Sequence, residues 1–229
     1  MIFVTGDMHG DYKIFKQPIY KNIKKSDTLV ICGDFGFIWT GDKNEKSVLD
    51  KLAKKNYTIC FVDGTHENFD LLAKYPVVEF CGGLAHKIRE NIYHLMRGQI
   101  FEIEGEKIFA MGGGESPDID IRSEGDSWSR EEIPTREELL AGAHALEAAD
   151  YHVDMVITHE PPLRIKGFLQ LKDYDSLRVT ALNAYFEELS DSCTFDKWYF
   201  GSMHMDKYIS KTHIAVFKAI LNAETGEKV

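Results

Sequence analysis

No apolar run in this chain approaches the roughly 18 residues that a membrane span requires. The N-terminus also lacks a basic stretch followed by a long apolar run and a small-residue cleavage site. The chain therefore reads as soluble, unexported and without a membrane partner. Cysteine is scarce: Cys32, Cys60, Cys81 and Cys193 show no CxxC spacing, and three of them lie in or beside apolar segments. Buried, reduced thiols of a cytoplasmic protein fit that pattern better than a disulfide frame. A basic excess is missing as well. With 27 Lys+Arg against 37 Asp+Glu the net charge is −10, and the only dense basic run, Lys21 to Lys25, reads as the solvated end of a helix. Phosphate backbones need clustered cations, so the composition argues against nucleic acid as a partner. Internal repeats, low-complexity tracts and linkers are absent too. A single domain over residues 1–229 is expected, with 44% hydrophobic residues to fill a continuous core.

What is present is an alternation. Short runs rich in Val, Ile, Phe and Tyr recur at Ile2 to Thr5, Thr28 to Cys32 and Tyr57 to Val62, with a helical pattern over Asn44 to Asn56 and a weaker one over Lys13 to Ile23. Such β-α-β units imply parallel strands in an α/β fold. Gln99 to Ile103 and Lys107 to Met111, across the Glu104-Gly105-Glu106 turn, predict a hairpin. Gly112 to Pro134, dense in glycine, proline and charge, predicts a long surface loop, and loops of that length are usually functional. Thr135 to Ala149 predicts a helix opened by a capping box, with Thr135 as N-cap and Glu138 three residues on. A strand at Val153 to Thr158, a loop at Pro161 to Tyr174, a helix at Leu177 to Leu189 and a strand at Trp198 to Phe200 follow. Ile214 to Leu221, after Lys207 to Ser210, predicts a closing hairpin.

Several of these strands end directly in polar clusters: Gly6-Asp7-Met8-His9-Gly10, Gly33-Asp34, Gly64-Thr65-His66-Glu67, Thr158-His159-Glu160 and Gly201-Ser202-Met203-His204. In open α/β sheets the carboxyl ends of parallel strands share one edge, where ligands bind. The clusters can therefore converge. Four of the nine histidines sit in them beside Asp7 and Asp34, and a mixed carboxylate and imidazole set suits divalent Mn, Fe, Zn or Co.

In order and spacing these residues resemble the calcineurin-like metallophosphoesterases, whose motifs are DxH, GDxxD, GNH(D/E), a strand-end His and GHxH. The likeness runs from residue 5 to about residue 206. Asp63 to Asp70 and the Trp198-Tyr199-Phe200-Gly201 approach look closest to small bacterial and phage phosphoesterases. The family fold is α/β, with two mixed β-sheets packed face to face and flanked by helices, a four-layer αββα sandwich. The resemblance assigns one metal to Asp7, His9, Asp34 and His204, all present. It assigns a second to Asp34, Thr65, His159 and Ser202, where Thr and Ser replace the family's Asn and His. Hydroxyls are weaker ligands, so one ion is expected to bind firmly and the second weakly or with substrate, manganese being the favoured metal. Phe37 stands where the second Asp of GDxxD would be.

The implied activity is metal-dependent hydrolysis of a small or nucleotide-like phosphate ester, as phosphatase or phosphodiesterase, by a metal-activated water. His66 resembles the family's residue at the leaving oxygen, with Glu67 or Asp63 able to orient it. Arg122, Arg97 and Lys207 are candidate phosphate contacts. The competing reading is a weakened, one-metal binding protein that recognises a phosphorylated ligand or partner without turning it over.

Overall fold

The computed structural model describes residues 1–116, 129–170 and 179–229. Its strands, in chain order, are β1 (Ile2–Thr5), β2 (Thr28–Cys32), β3 (Thr58–Val62), β4 (Val77–Phe80), β5 (Gly83–Arg89), β6 (Ile92–Leu95), β7 (Gln99–Ile103), β8 (Glu106–Met111), β9 (Met155–Thr158), β10 (Lys197–Phe200), β11 (Lys207–Tyr208), β12 (His213–Ala215) and β13 (Leu221–Asn222). The helices are α1 (Lys43–Leu52), α2 (Phe69–Leu72), α3 (Arg136–Ala148), α4 (Leu163–Leu169) and α5 (Ala181–Ser192). One sheet has seven strands in the order β13-β1-β2-β3-β6-β5-β4, and the other has six in the order β11-β12-β10-β9-β8-β7. Strands β1, β2, β3 and β6 run parallel, as do β8, β9, β10 and β12. The remaining pairs are antiparallel, so both sheets are mixed.

Alternation along each central strand sorts side chains into two apolar layers. Val4, Val30, Cys60 and Val62 meet Ile108, Ala110, Ile157 and Tyr199 in a core between the sheets. Their neighbours Phe3, Leu29, Ile31, Ile59 and Phe61 face outward and pack with Leu49 and Leu52 of α1 and Leu72 of α2. On the far side Phe109, Val156, Trp198 and Phe200 pack with Leu146 of α3 and Leu182, Phe186 and Leu189 of α5. Both faces of both sheets are thus covered, and the layers run helix, sheet, sheet, helix. Among the described residues, no helix is long and apolar enough to cross a membrane.

Several local expectations need correction. Lys13 to Ile23 forms two 3₁₀ turns, Ile14–Lys16 and Pro18–Lys21, because Pro18 has no N–H to carry a helix through and stands at the start of the second turn. The expected loop from Pro161 holds α4. The closing hairpin forms, β11 pairing antiparallel with β12, but it stops at Ala215: β13 begins at Leu221 in the seven-stranded sheet, so the rest of the Ile214 to Leu221 run crosses between sheets. Of the Gly112 to Pro134 stretch, residues 117–128 lie outside the described residues; at its ends Gly112, Gly113, Gly114, Ser116, Glu132 and Pro134 are buried, with Ser116 Oγ donating to Glu132 Oε2 at 2.7 Å, while Arg130 and Glu131 are exposed. Among the four free thiols Cys32 and Cys60 are buried, but Cys81 is exposed and Cys193 intermediate.

Candidate metal centre

The polar clusters follow the carboxyl ends of β1, β2, β3, β9 and β10, and the loops there are tied to one another. Met8 N and His9 N both donate to the Asp34 carbonyl at 2.9 Å, and Thr65 N and His66 N donate to Asp34 Oδ1 at 2.6 and 3.0 Å. Three of the site residues, His9, Asp34 and His204, hold positive φ of 46°, 46° and 48°. Side chains with a Cβ rarely adopt that region, so the surrounding bonds must enforce it. Close approach adds a second constraint. A Cβ on Gly201 would strike Asp7 Oδ1 and the Cys32 carbonyl, and one on Gly33, itself at φ 95°, would strike the His159 ring.

The result is a tight donor set. One ligand atom each from Asp7, His9, Asp34 and His204 lies within 4.8 Å of the others. His9 Nε2 faces His204 Nε2 at 3.0 Å, His204 Nε2 approaches Asp7 Oδ2 at 3.0 Å, and His9 Nδ1 lies 3.6 Å from Asp34 Oδ2. Asp7 is buried, yet neither of its carboxylate oxygens has a well-formed hydrogen bond. Two bare oxygens on a buried carboxylate are costly unless a cation satisfies them. The residues present therefore fit a divalent ion held by Asp7, His9, Asp34 and His204.

His159 is also buried here, with Nδ1 3.6 Å from Asp7 Oδ1 and Nε2 3.5 Å from Asp34 Oδ1. Burial disfavours its charged form, but the negative charges of Asp34 and Asp7, then Glu160 and Glu67, outweigh that and raise it to about 9. Asp34 moves the opposite way. Burial pushes its carboxyl up, and the charge of His159 with the hydrogen bond and charge of His66 outweigh this, holding it well below the usual carboxylate range. Ser202 Oγ is buried without a hydrogen-bond partner, and Thr65 Oγ1 lies 3.3 Å from His66 Nδ1.

His66 sits at the rim of the cluster, its Nδ1 2.7 Å from Asp34 Oδ2. Asp34, rather than Glu67 or Asp63, is thus the carboxylate that orients it. Glu67 accepts from Gly64 N at 2.8 Å and Gly36 N at 3.3 Å, lacing two site loops together. Asp63 accepts from His94 Nε2 at 2.9 Å and from Arg97 Nε and Nη2 at 2.9 and 2.6 Å. Arg97 is therefore no open phosphate clamp: it is buried in a bidentate pair and also reaches Glu138 Oε2 at 3.2 Å. Lys207 is exposed, its Nζ 5.2 Å from the centre of the Phe168 ring. Arg122 lies outside the described residues. Beneath the Arg97 pair is a cavity of about 660 Å³, lined by His86, Met96, Phe69 and Ile133 among others. It shares no residue with the metal cluster.

One pair of site supports had no sequence signal. Phe217 stacks on His204 with centroids 4.9 Å apart and planes at 17°, while its carbonyl accepts from Gly6 N at 3.3 Å. Asp206 Oδ1 in turn accepts from Phe217 N at 2.8 Å. An exposed Asp and a lone Phe resemble any others in the chain, and their partners are set by tertiary contact alone.

The fold and the donor set define a metal-binding α/β protein with phosphoesterase architecture. Residues 1–209 match the model of the family described as calcineurin-like phosphoesterase, and the chain belongs to that family. Its members bind divalent metals and hydrolyse phosphate esters. Among solved structures, the phosphopantetheinyl hydrolase of Mycobacterium tuberculosis is similar at 16% identity and a TM-score of 0.45, covering 94% of this chain and 89% of that one. No curated protein matches the chain.

Proposed function

We propose that the protein is a metal-dependent phosphatase or phosphodiesterase acting on small or nucleotide-like phosphate esters, with residues 1–229 as one catalytic domain. The observation that carries this is the buried Asp7 carboxylate, met only by imidazoles and with no well-formed hydrogen bond at either oxygen, within the Asp7, His9, Asp34 and His204 set. An ion held by those residues, with manganese favoured, supplies a Lewis acid that polarises phosphate oxygens and lowers the pKa of water. Asp34 fixes His66 by accepting from Nδ1. With Nδ1 held by that bond, Nε2 faces outward and can carry a proton to a departing oxygen. His159, 3.6 Å from Asp7 and 3.5 Å from Asp34, stands where the resemblance places a ligand of the second, weaker ion.

The test is hydrolysis of p-nitrophenyl phosphate and bis(p-nitrophenyl) phosphate by metal-stripped protein reloaded with Mn, Fe, Zn or Co, with Asp34→Asn as control. Turnover that needs the ion and vanishes in the control is the expected result. One ion bound stoichiometrically with no turnover of either ester would overturn it.

A second reading has its own observation. Thr65 and Ser202 offer hydroxyls where a second ion would need stronger donors, and the Thr65 hydroxyl is turned toward His66. On that reading the protein binds one ion and a phosphorylated ligand without hydrolysis. Thr65→Asn with Ser202→His separates the two. A second equivalent of bound metal accompanied by at least tenfold faster turnover is expected if a weak second ion limits catalysis, whereas a second ion without turnover favours the binding protein.

A further inference from the structure

The imidazoles of the cluster form a row of rings that leads out of the site. His204 and His9 have centroids 5.0 Å apart, His9 and His66 4.6 Å, and among the described residues the ring that follows is the indole of Trp39, 6.4 Å from His66 and tilted by 35°. Trp39 is 40% exposed. Three other aromatic side chains are comparably exposed among the described residues: Tyr151, Phe168 and Tyr208. Phe168 lies under Lys207, Tyr208 bonds its hydroxyl to the Gly226 carbonyl, and no ring of the cluster is close to any of them.

The segment that carries Trp39 is unusually well held for a solvent-facing loop. Trp39 N and Thr40 N donate to Glu45 Oε1 at 2.6 and 3.1 Å, and Gly41 N donates to Glu45 Oε2 at 2.6 Å. From the other side Asn68 Nδ2 donates to the Trp39 carbonyl at 2.9 Å, and Asn68 N to the Ile38 carbonyl at 2.9 Å. Asn68 stands two residues after His66, so one short segment fixes both rings relative to each other. The indole N–H has no hydrogen-bond partner among the described residues. A large apolar face is thus kept in water, on a backbone that needs no further ordering to receive a ligand.

We infer that Trp39 is the leaving-group platform of this site, and that the preferred substrates are phosphate esters whose leaving group carries a planar aromatic ring. This deepens the proposed hydrolysis and rests on it. With phosphate at the metal cluster and the departing oxygen at His66, the rest of the leaving group extends along the row of rings. A third ring does not fit between His66 and Trp39, since two stacking distances of ~3.5 Å exceed their separation. The ligand ring therefore lies beside the pair, at the solvent-open edge of the indole nearest His66, within reach of a ring bonded directly to the departing oxygen. Apolar and π contact of this kind discriminates flat groups from small alkyl ones without reading their substituents.

The experiment compares phenyl phosphate with ethyl phosphate as substrates, and phenylphosphonate with methylphosphonate as non-hydrolysable ligands, on metal-loaded wild type, Trp39→Ala and Trp39→Phe. Phosphonate binding is read by calorimetry. A phenolate leaves more readily than an alkoxide whatever the protein does, so the change in the aryl-to-alkyl ratio is what decides. The ratio of kcat/KM values, and the ratio of phosphonate affinities, should each fall about tenfold in Trp39→Ala. Trp39→Phe should keep most of both, which a general loss of folding would not do. Phenylphosphonate binding no more tightly than methylphosphonate to the wild type, or ratios that survive in Trp39→Ala, would overturn the inference. Absence of turnover with the phosphonate ratio still dependent on Trp39 would sink the hydrolytic reading and leave the platform standing.

Discussion

Asp63 shows what a buried carboxylate looks like when it is fully partnered. Two atoms of Arg97 and one of His94 meet its oxygens, while the next residue, Gly64, begins the loop that carries His66. Burial pushes the Asp63 carboxyl up, but the Arg97 guanidinium, with His94, more than compensates and holds it well below the usual range. Removing one partner leaves a charge buried alone. Arg97→Met should therefore cost about 3–5 kcal/mol in chemical denaturation, and Asp63→Asn combined with Arg97→Met should recover part of that loss. The sign in pH follows from the depressed value. The stabilisation is complete above the ordinary Asp value of 3.8 and disappears as pH falls below it toward the folded one. Acid titration of the wild type should show this limb, and Asp63→Asn should show it reduced, the remainder coming from Asp34, whose carboxyl is held low as well. A double variant no more stable than Arg97→Met would remove the ion pair from the account.

Among the elements, those whose apolar period was clean were legible in the sequence. β1, β2 and β3 are short runs of β-branched and aromatic residues, β10 is Trp-Tyr-Phe after Lys197, and the polar residues ending all four stand out against that background. α3 was legible for a different reason: its start is written in side chains. Thr135 accepts from Glu138 N at 3.2 Å, and Glu138 Oε2 accepts from Thr135 N at 2.7 Å, closing the capping box. Thr135→Ala should lower stability by about 1 kcal/mol with metal affinity unaltered. An unchanged melting curve would show that packing, not the cap, sets the start of α3. Other elements lack such marks. α4 follows two prolines, has only seven residues and contains Gly167, so neither propensity nor period reveals it. β5 carries His86, Lys87 and Arg89 at half-exposed positions, β4 leaves Val77 exposed, and β6 buries His94, all of which dilutes their alternation. Arg97 reads from the sequence as a candidate phosphate contact because nothing local shows its burial against Asp63, which lies 34 residues earlier.

At the scale of the whole molecule, the centre depends on chain that lies beyond the family match. That match ends at residue 209, whereas β12 and β13 complete one sheet each after it. Between them the chain crosses from sheet to sheet through residues 216–220. In that crossing Gly6 N and Thr5 Oγ1, just before Asp7, donate to the Phe217 carbonyl, and the Phe217 ring stacks on His204. The crossing therefore buttresses two metal-site loops at once, one through backbone and one through a ring. Phe217→Ala keeps the carbonyl and removes the ring, so it separates these contributions. His204, at φ 48°, then loses its packing partner. Metal affinity is expected to fall about tenfold, as when a partner that orients a ligand is removed, while the melting temperature of the metal-free protein changes little. Phe217→Tyr, which keeps the stack, should behave as wild type. Equal metal affinity in Phe217→Ala and wild type would mean that the backbone bonds of the crossing suffice to hold His204, and would place the ring's contribution in the core instead.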